Sequence, residues 1–180
     1  MRHGETAWTL SGQHTSSTDL PLTAEGERKA AAVGKLLAGK KFAAVFVSPM
    51  TRAQETCRIA GYEDGAIITQ DLDEWNYGSY EGLTTEQVHK TAPDWTIWTG
   101  PPPGGETIQQ VAARAKRVIQ TAPAGEVAIF GHGHMLRILA SCWLLVNPEM
   151  GRCFALSTGS ISVLGHERDT PVIQSWNQTT

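Results

Sequence analysis

The sequence predicts an α/β fold, a three-layer α/β/α sandwich with a mostly parallel central sheet, with residues 1–180 as a single domain. Short continuous apolar runs at 43–47 (AAVFV), 66–69 (AIIT) and 127–130 (VAIF) have the length of buried strands. Longer segments between them repeat apolar residues at three- and four-residue spacing, as amphipathic helices do. Strand and helix therefore alternate, and parallel neighbours require such crossovers.

In chain order, residues 8–22 are rich in Thr, Ser, Gly and Pro without apolar period and are expected as a loop. Loops of that length in compact folds tend to carry function, and Thr9, His14, Thr15 and Ser16 offer polar contacts from it. Thr23 reads as the N-cap of a helix, with Glu25 in its first turn. Ala30, Val33, Leu36 and Leu37 form that helix's stripe and Gly39 its stop. After the strand at 43–47, Ser48 and Pro49 read as N-cap and first-turn proline of a helix reaching about Ala60. Arg52 then lies in the first turn of a helix leaving the end of a buried strand. Open α/β sheets bind ligands there, and helix N-termini favour anions.

The strand at 66–69 leads into a loop, residues 72–82, that holds Asp73, Glu74, Glu81 and two glycines. Thr84 with Gln87, and Thr107 with Gln110, form capping boxes. The second opens a helix with the stripe Ile108, Val111, Ala112, Ala115, Val118 and Ile119. Residues 93–105 are Pro- and Gly-rich and expected irregular, with Trp95 and Trp98 covering apolar surface. The strand at 127–130 runs into Gly131-His132-Gly133-His134 and an apolar helix from Met135 to Leu145. Final strands are expected near 153–157, 160–165 and 172–176, giving an antiparallel edge.

Hydrophobic content of 41%, charged content of 18% and a net charge of -3 give no reason to expect nucleic acid or an acidic membrane as partner. No apolar run approaches the roughly 20 residues that cross a bilayer, and no secretory leader opens the chain. Cys57, Cys142 and Cys153 lack CxxC spacing and read as reduced thiols of a cytoplasmic protein. A homodimer is compatible with the sequence.

The chemistry begins at Arg2-His3-Gly4-Glu5-Thr6. A neutral imidazole is a competent nucleophile that can carry a phosphoryl group. Arg2 supplies a fork of donors suited to phosphate, and Gly4 would let backbone approach an anion. Taken alone, the triplet is equally a basic patch near a terminus. Arg52 and His132, however, sit at two other strand-to-helix junctions. Arg2, His3, Arg52 and His132, with Gly133 beside them, would face one sheet edge and form a phosphate site.

The leaving oxygen needs a proton donor. Glu74 is the candidate, with Asp73 and Glu81 as competitors; its pKa is expected to be raised by partial burial or by incoming phosphate charge. His132 and His134 would be a metal site only with a third ligand from elsewhere, so no metal and no cofactor are expected. His14, His89 and His166 are expected at the surface or in loops. Trp75, Tyr77, Tyr80, Trp95 and Trp98 suit either a pocket mouth or the core.

Five motifs in order, Arg2-His3-Gly4-Glu5-Thr6, Ser48-Pro49 with Arg52-Ala53-Gln54-Glu55-Thr56, Glu74 to Gly82, Gly104-Gly105-Glu106-Thr107 and Gly131-His132-Gly133, resemble the histidine phosphatase superfamily, phosphoglycerate-mutase-like branch. Residues 11–15 and 18–23 further resemble its sugar-phosphatase and broad acid phosphatase subgroup. The resemblance implies a phosphoglycerate-mutase-like fold with His3 as phosphorylated nucleophile. It implies Arg2, Arg52 and His132 around the phosphate, and it selects Glu74 as proton donor. It also implies a strand before Arg2, of which Met1 alone is present, so the first strand is expected truncated. Mutases of the family carry more basic residues where 84–100 has only Lys90, and an Asn where Thr9 stands. A phosphatase acting on small phosphorylated metabolites through phosphohistidine is thus expected; the alternatives are a phosphoglycerate mutase and a catalytically silent phosphate-binding module.

Overall fold

The computed structural model describes residues 1–179. Its parallel sheet contains β1 (Ala44–Val47), β2 (Ile67–Ile68) and β3 (Val127–Phe130) in the order β2-β1-β3. The helices are α1 (Ala7–Ser11), α2 (Ala24–Leu37), α3 (Thr51–Ile59), α4 (Thr85–His89), α5 (Ile108–Thr121) and α6 (Gly133–Trp143). Alternate strand residues point to opposite faces. Val47, Ala128 and Phe130 pack with Val33 and Leu37 of α2 and Ala53 and Cys57 of α3. Phe46 packs on the other face with Val111, Ala115 and Val118 of α5 and Met135, Ile138 and Leu139 of α6. These are the three expected layers around a parallel sheet.

The expected first strand survives as a rung beside β3. The Met1 amine donates to the Ile129 carbonyl at 2.7 Å, Gly131 N–H to Met1 at 3.0 Å and His3 N–H to Gly131 at 3.0 Å. Arg2 N–H turns to Ser160 on the other side at 3.1 Å. The rung thus ties the parallel sheet to the start of β4 (Ile161–Glu167), which pairs antiparallel with β5 (Thr170–Gln178) as a separate two-stranded sheet.

Four local expectations need correction. Residues 7–11 form a short helix, α1, capped by Thr6; it has no buried residue and hence no apolar period to betray it. Ser48 does not cap α3, which begins at Thr51 with Met50 as N-cap and no side-chain bond; the Ser48 hydroxyl accepts from Met50 N–H at 3.3 Å ahead of the helix and also engages Asp73 and His132. No strand forms at 153–157: a 3-10 turn covers Pro148–Cys153, and the Leu156 carbonyl accepts from the Arg2 guanidinium rather than from a ladder. Gly4 faces a helix, not an anion. A Cβ there would lie 2.4 Å from the Gly26 carbonyl oxygen, so glycine is what lets α2 approach the chain after His3.

Candidate active site

The rung beside β3 puts His3 at the sheet edge, 4% exposed. Its Nδ1 lies 2.7 Å from the Gly4 carbonyl oxygen. A carbonyl only accepts, so Nδ1 carries the proton and Nε2 keeps the lone pair. Burial, then the charges of Arg2 and Arg52, hold the His3 pKa well below the usual histidine value, against the Gly4 bond.

His132 stands at the N-cap of α6, where β3 ends, and its ring centroid is 5.1 Å from that of His3. Its Nε2 pairs with Ser48 Oγ at 2.8 Å, and its Nδ1 accepts from Arg52 Nε at 3.3 Å. Ser48 in turn donates to Asp73 Oδ1 at 3.2 Å, which fixes the order of donors through the chain. Burial first, then Arg52 and His3, hold the His132 pKa well below normal as well. Both rings are therefore neutral at cellular pH.

Arg52, wholly buried in the first turn of α3, also donates to the carbonyls of Thr18 and Ser16, each at 3.0 Å. Arg2 lies against Gly133, where a Cβ would stand 3.4 Å from its Cζ, and its Nε is buried without a partner. Among the described residues neither guanidinium has a carboxylate at ion-pair distance. One buried and one half-buried cation beside two neutral imidazoles make a strong attractor for a small oxyanion.

Glu74 is 7% exposed, and its carboxylate accepts from the N–H groups of Trp75 (2.9 Å), His134 (3.0 Å) and Met135 (2.9 Å). Burial works to raise its pKa; His134 and the three donors work against burial and prevail, so the pKa is lowered. The expectation that burial raises it is thus corrected: the N-terminal turn of α6 supplies fixed dipoles that stabilise the anion. The competing acids are occupied elsewhere. Asp73 holds Ser48 beneath His132, and Glu81 accepts from Ser16 N–H at 2.8 and 3.0 Å and Thr18 N–H at 3.0 Å, pinning the loop.

Of the loop candidates, only Ser16 is brought to the cage, through its carbonyl on Arg52. Thr9 Oγ1 donates to the Thr6 carbonyl at 2.9 Å and accepts from Thr6 N–H at 2.8 Å, closing the cap of α1. Thr15 Oγ1 donates to Gln13 at 3.1 Å.

The chain matches the description "Histidine phosphatase superfamily (branch 1)" over residues 1–179. It belongs to that superfamily. It is 38% identical over 173 residues to an acid phosphatase of Mycobacterium tuberculosis, covering 93% of this chain and 85% of the relative. It is 34% identical over 166 residues to a 2,3-bisphosphoglycerate-dependent phosphoglycerate mutase of Gloeobacter violaceus, covering 83% of this chain and 76% of the relative. The solved structure of an open-reading-frame product of M. tuberculosis superposes with a TM-score of 0.92 at 36% identity, covering 99% of this chain and 95% of that one.

Around the cage of this histidine phosphatase, the structure decides between the readings that the sequence left open for the aromatic residues. Trp75 and Tyr77 are core, whereas Tyr80, Trp95 and Trp98 are partly buried at its margin. His14 lies in a loop, as expected, but half-buried: it stacks on Tyr77 at 4.7 Å and meets the edge of Trp95 at 5.6 Å. His134 Nδ1 pairs with Tyr77 Oη at 2.7 Å and lies 3.9 Å from Glu74 Oε2; burial lowers its pKa to about 4. Among the described residues no three His, Cys, Asp or Glu are grouped to hold a metal ion.

Proposed function

We propose that the protein is a phosphomonoesterase that hydrolyses small phosphate monoesters, sugar phosphates or similar metabolites, through a phosphohistidine at His3. The observation that carries this is the pair of guanidinium groups around His3, Arg52 wholly buried and Arg2 half-buried with its Nε lacking a partner, neither in contact with a carboxylate among the described residues. Burying the Arg52 cation with carboxylates nearby but none in contact is unfavourable, and a phosphate monoester supplies a direct counterion. The likeness to an acid phosphatase supports the same reading.

In the first step the His3 Nε2 lone pair forms an N–P bond as the P–O bond to the alcohol breaks. Arg2, Arg52 and the N–H of Gly133 at the start of α6 stabilise the phosphoryl oxygens, and His132 holds Arg52 through Nδ1. The phosphate dianion raises the Glu74 pKa, so Glu74 brings a proton and gives it to the departing alkoxide, worth roughly 10²–10⁴-fold. Water then attacks phosphorus, Glu74 takes its proton, and His3 leaves with its lone pair restored. Ser16 is the loop contact nearest the phosphate; Thr9 and Thr15 would have to exchange an internal hydrogen bond to reach it.

Rapid acid-free quench with a radiolabelled phosphomonoester should trap a base-stable, acid-labile phosphoenzyme. His3→Ala should lose it together with about 10⁴-fold or more of kcat. Full rate in His3→Ala would falsify the proposal. The likeness to a phosphoglycerate mutase favours a second reading, in which 2- and 3-phosphoglycerate interconvert faster than phosphate is released. Lys90 as the sole lysine in 84–100 favours water as acceptor instead. A silent binding module would bind phosphate and never become phosphorylated.

Three free thiols suit a reducing compartment, and we propose the cytoplasm; recovery of the protein in another cell fraction would overturn that. A homodimer is also proposed, with the exposed Ile67 and Ile68 of edge strand β2 as the pairing rim; a light-scattering mass of one chain would remove it.

A further inference from the structure

We infer that Arg114, held by Glu106, is a positioning residue for Glu74, a role that rests on the assignment of Glu74 as proton donor. Arg114 rises from α5 with a side chain 13% exposed. Its Nε and Nη2 meet the Glu106 carboxylate in a bidentate pair at 3.0 and 2.8 Å. Its Nη1 donates to the main-chain carbonyls of Asp71 at 3.1 Å and Asp73 at 2.8 Å, and Nη2 lies 3.4 Å from that of Glu74. Glu106 completes the grip: its carboxylate accepts from Asn76 N–H at 3.0 Å, its carbonyl from Trp75 Nε1 at 2.8 Å, and its own N–H donates to Asn76 at 3.0 Å.

Each residue from 73 to 76 is therefore tied to this ion pair. The segment lies between two 3-10 turns, Gln70–Leu72 and Gly78–Tyr80, and has no ladder or helix of its own to fix it. The other end of Glu74 is fixed differently, by the N–H groups of His134 and Met135 on its carboxylate. Those bonds depend on charge. Once Glu74 is protonated, one oxygen becomes a donor and the acceptors weaken. The grip of Arg114 is on the main chain and does not change with protonation. It thus keeps the acid form aimed at the leaving oxygen at the moment the tip is loosest. Lysine cannot reproduce this, because the task needs a planar fork reaching the carboxylate and the carbonyls together.

The leaving group reads out the acid. The test compares kcat/KM on glycerol phosphate, whose alkoxide needs a proton, with p-nitrophenyl phosphate, whose phenolate leaves without one. Glu74→Gln, Arg114→Lys and Glu106→Gln are measured in parallel. Glu74→Gln should lose about 10²–10⁴-fold on the alkyl ester and far less on the aryl ester. Arg114→Lys should lose about 10–100-fold on the alkyl ester, leave the aryl ester nearly unchanged, and keep inhibition by orthovanadate, since the phosphate cage is untouched. If both esters fall together with Tm, Arg114 is merely structural and the inference is overturned. If Glu74→Gln shows no leaving-group dependence, the proton-donor assignment fails and this inference with it. If Glu74→Gln discriminates and the folded Arg114→Lys does not, only the clamp fails. Should Arg114→Lys not fold, Glu106→Gln decides by the same comparison.

Discussion

At the scale of single residues, the decisive property of His3 is its tautomer. The Gly4 carbonyl accepts a hydrogen bond from Nδ1–H, so Nε2 keeps the lone pair that the proposed attack needs. With burial and two guanidinium groups lowering the pKa, the ring stays neutral where an ordinary histidine would be mostly charged. Ring-proton NMR should find His3 and His132 neutral at pH 6; a midpoint near about 6.5 for either would contradict this electrostatic picture. His3, Arg52 and His132 were legible because each stands where a strand ends and the pattern changes period. Ser48, Asp73 and His14 were not. Their partners come from segments far away in sequence, and a side-chain bond between Ser48 and His132 leaves no periodic trace.

At the scale of elements, most helices announced themselves through caps as well as stripes. Thr107 and Gln110 close their box on each other's backbone N–H groups, and Thr107→Ala should cost about 1 kcal/mol by chemical denaturation. The contact between α2 and the start of the chain is less forgiving. Gly4 and Gly26 approach so closely that a Cβ on either would overlap backbone, at 2.4 and 2.2 Å. Gly4→Ala should therefore cost about 2–3 kcal/mol and lower activity with it, since His3 is adjacent; an unchanged denaturation midpoint would contradict the packing. The strand expected at 153–157 failed for a reason no local pattern contains. Its carbonyls are taken by side chains, Leu156 by Arg2 and Ala155 by Trp176 Nε1. The fold was read through strand–helix alternation, whereas a segment bonded by distant side chains keeps its β-like composition without becoming a strand.

At the scale of the whole molecule, acid should act chiefly through buried histidines. His3, His132 and His134 all have pKa values lowered in the fold, His134 to about 4. Unfolding exposes rings that bind protons below about 6.5, so the unfolded chain takes up more protons than the folded one. The stability they confer is fully present above that pH and declines as pH falls, by up to about 1.4 kcal/mol per pH unit for each ring. Glu74, with its lowered pKa, adds to the loss further down, below the ordinary carboxyl range. Tm should drop steadily between pH 6.5 and 4.5, and His134→Gln should flatten that slope; a flat profile in the parent protein would contradict it.

On the proposed reading, the same pair of guanidinium groups that favours the substrate cannot distinguish it from what the reaction leaves behind. Orthophosphate is a tetrahedral oxyanion of charge similar to the phosphate head of the ester, so product inhibition is built into the chemistry of Arg2 and Arg52. Melting temperature should rise with added orthophosphate as ligand linkage requires, by about 2.7 kcal/mol of stabilisation at a hundred times its dissociation constant. Assays in phosphate buffer would understate turnover, and in a cell the rate would follow the standing concentration of free phosphate as much as that of the ester.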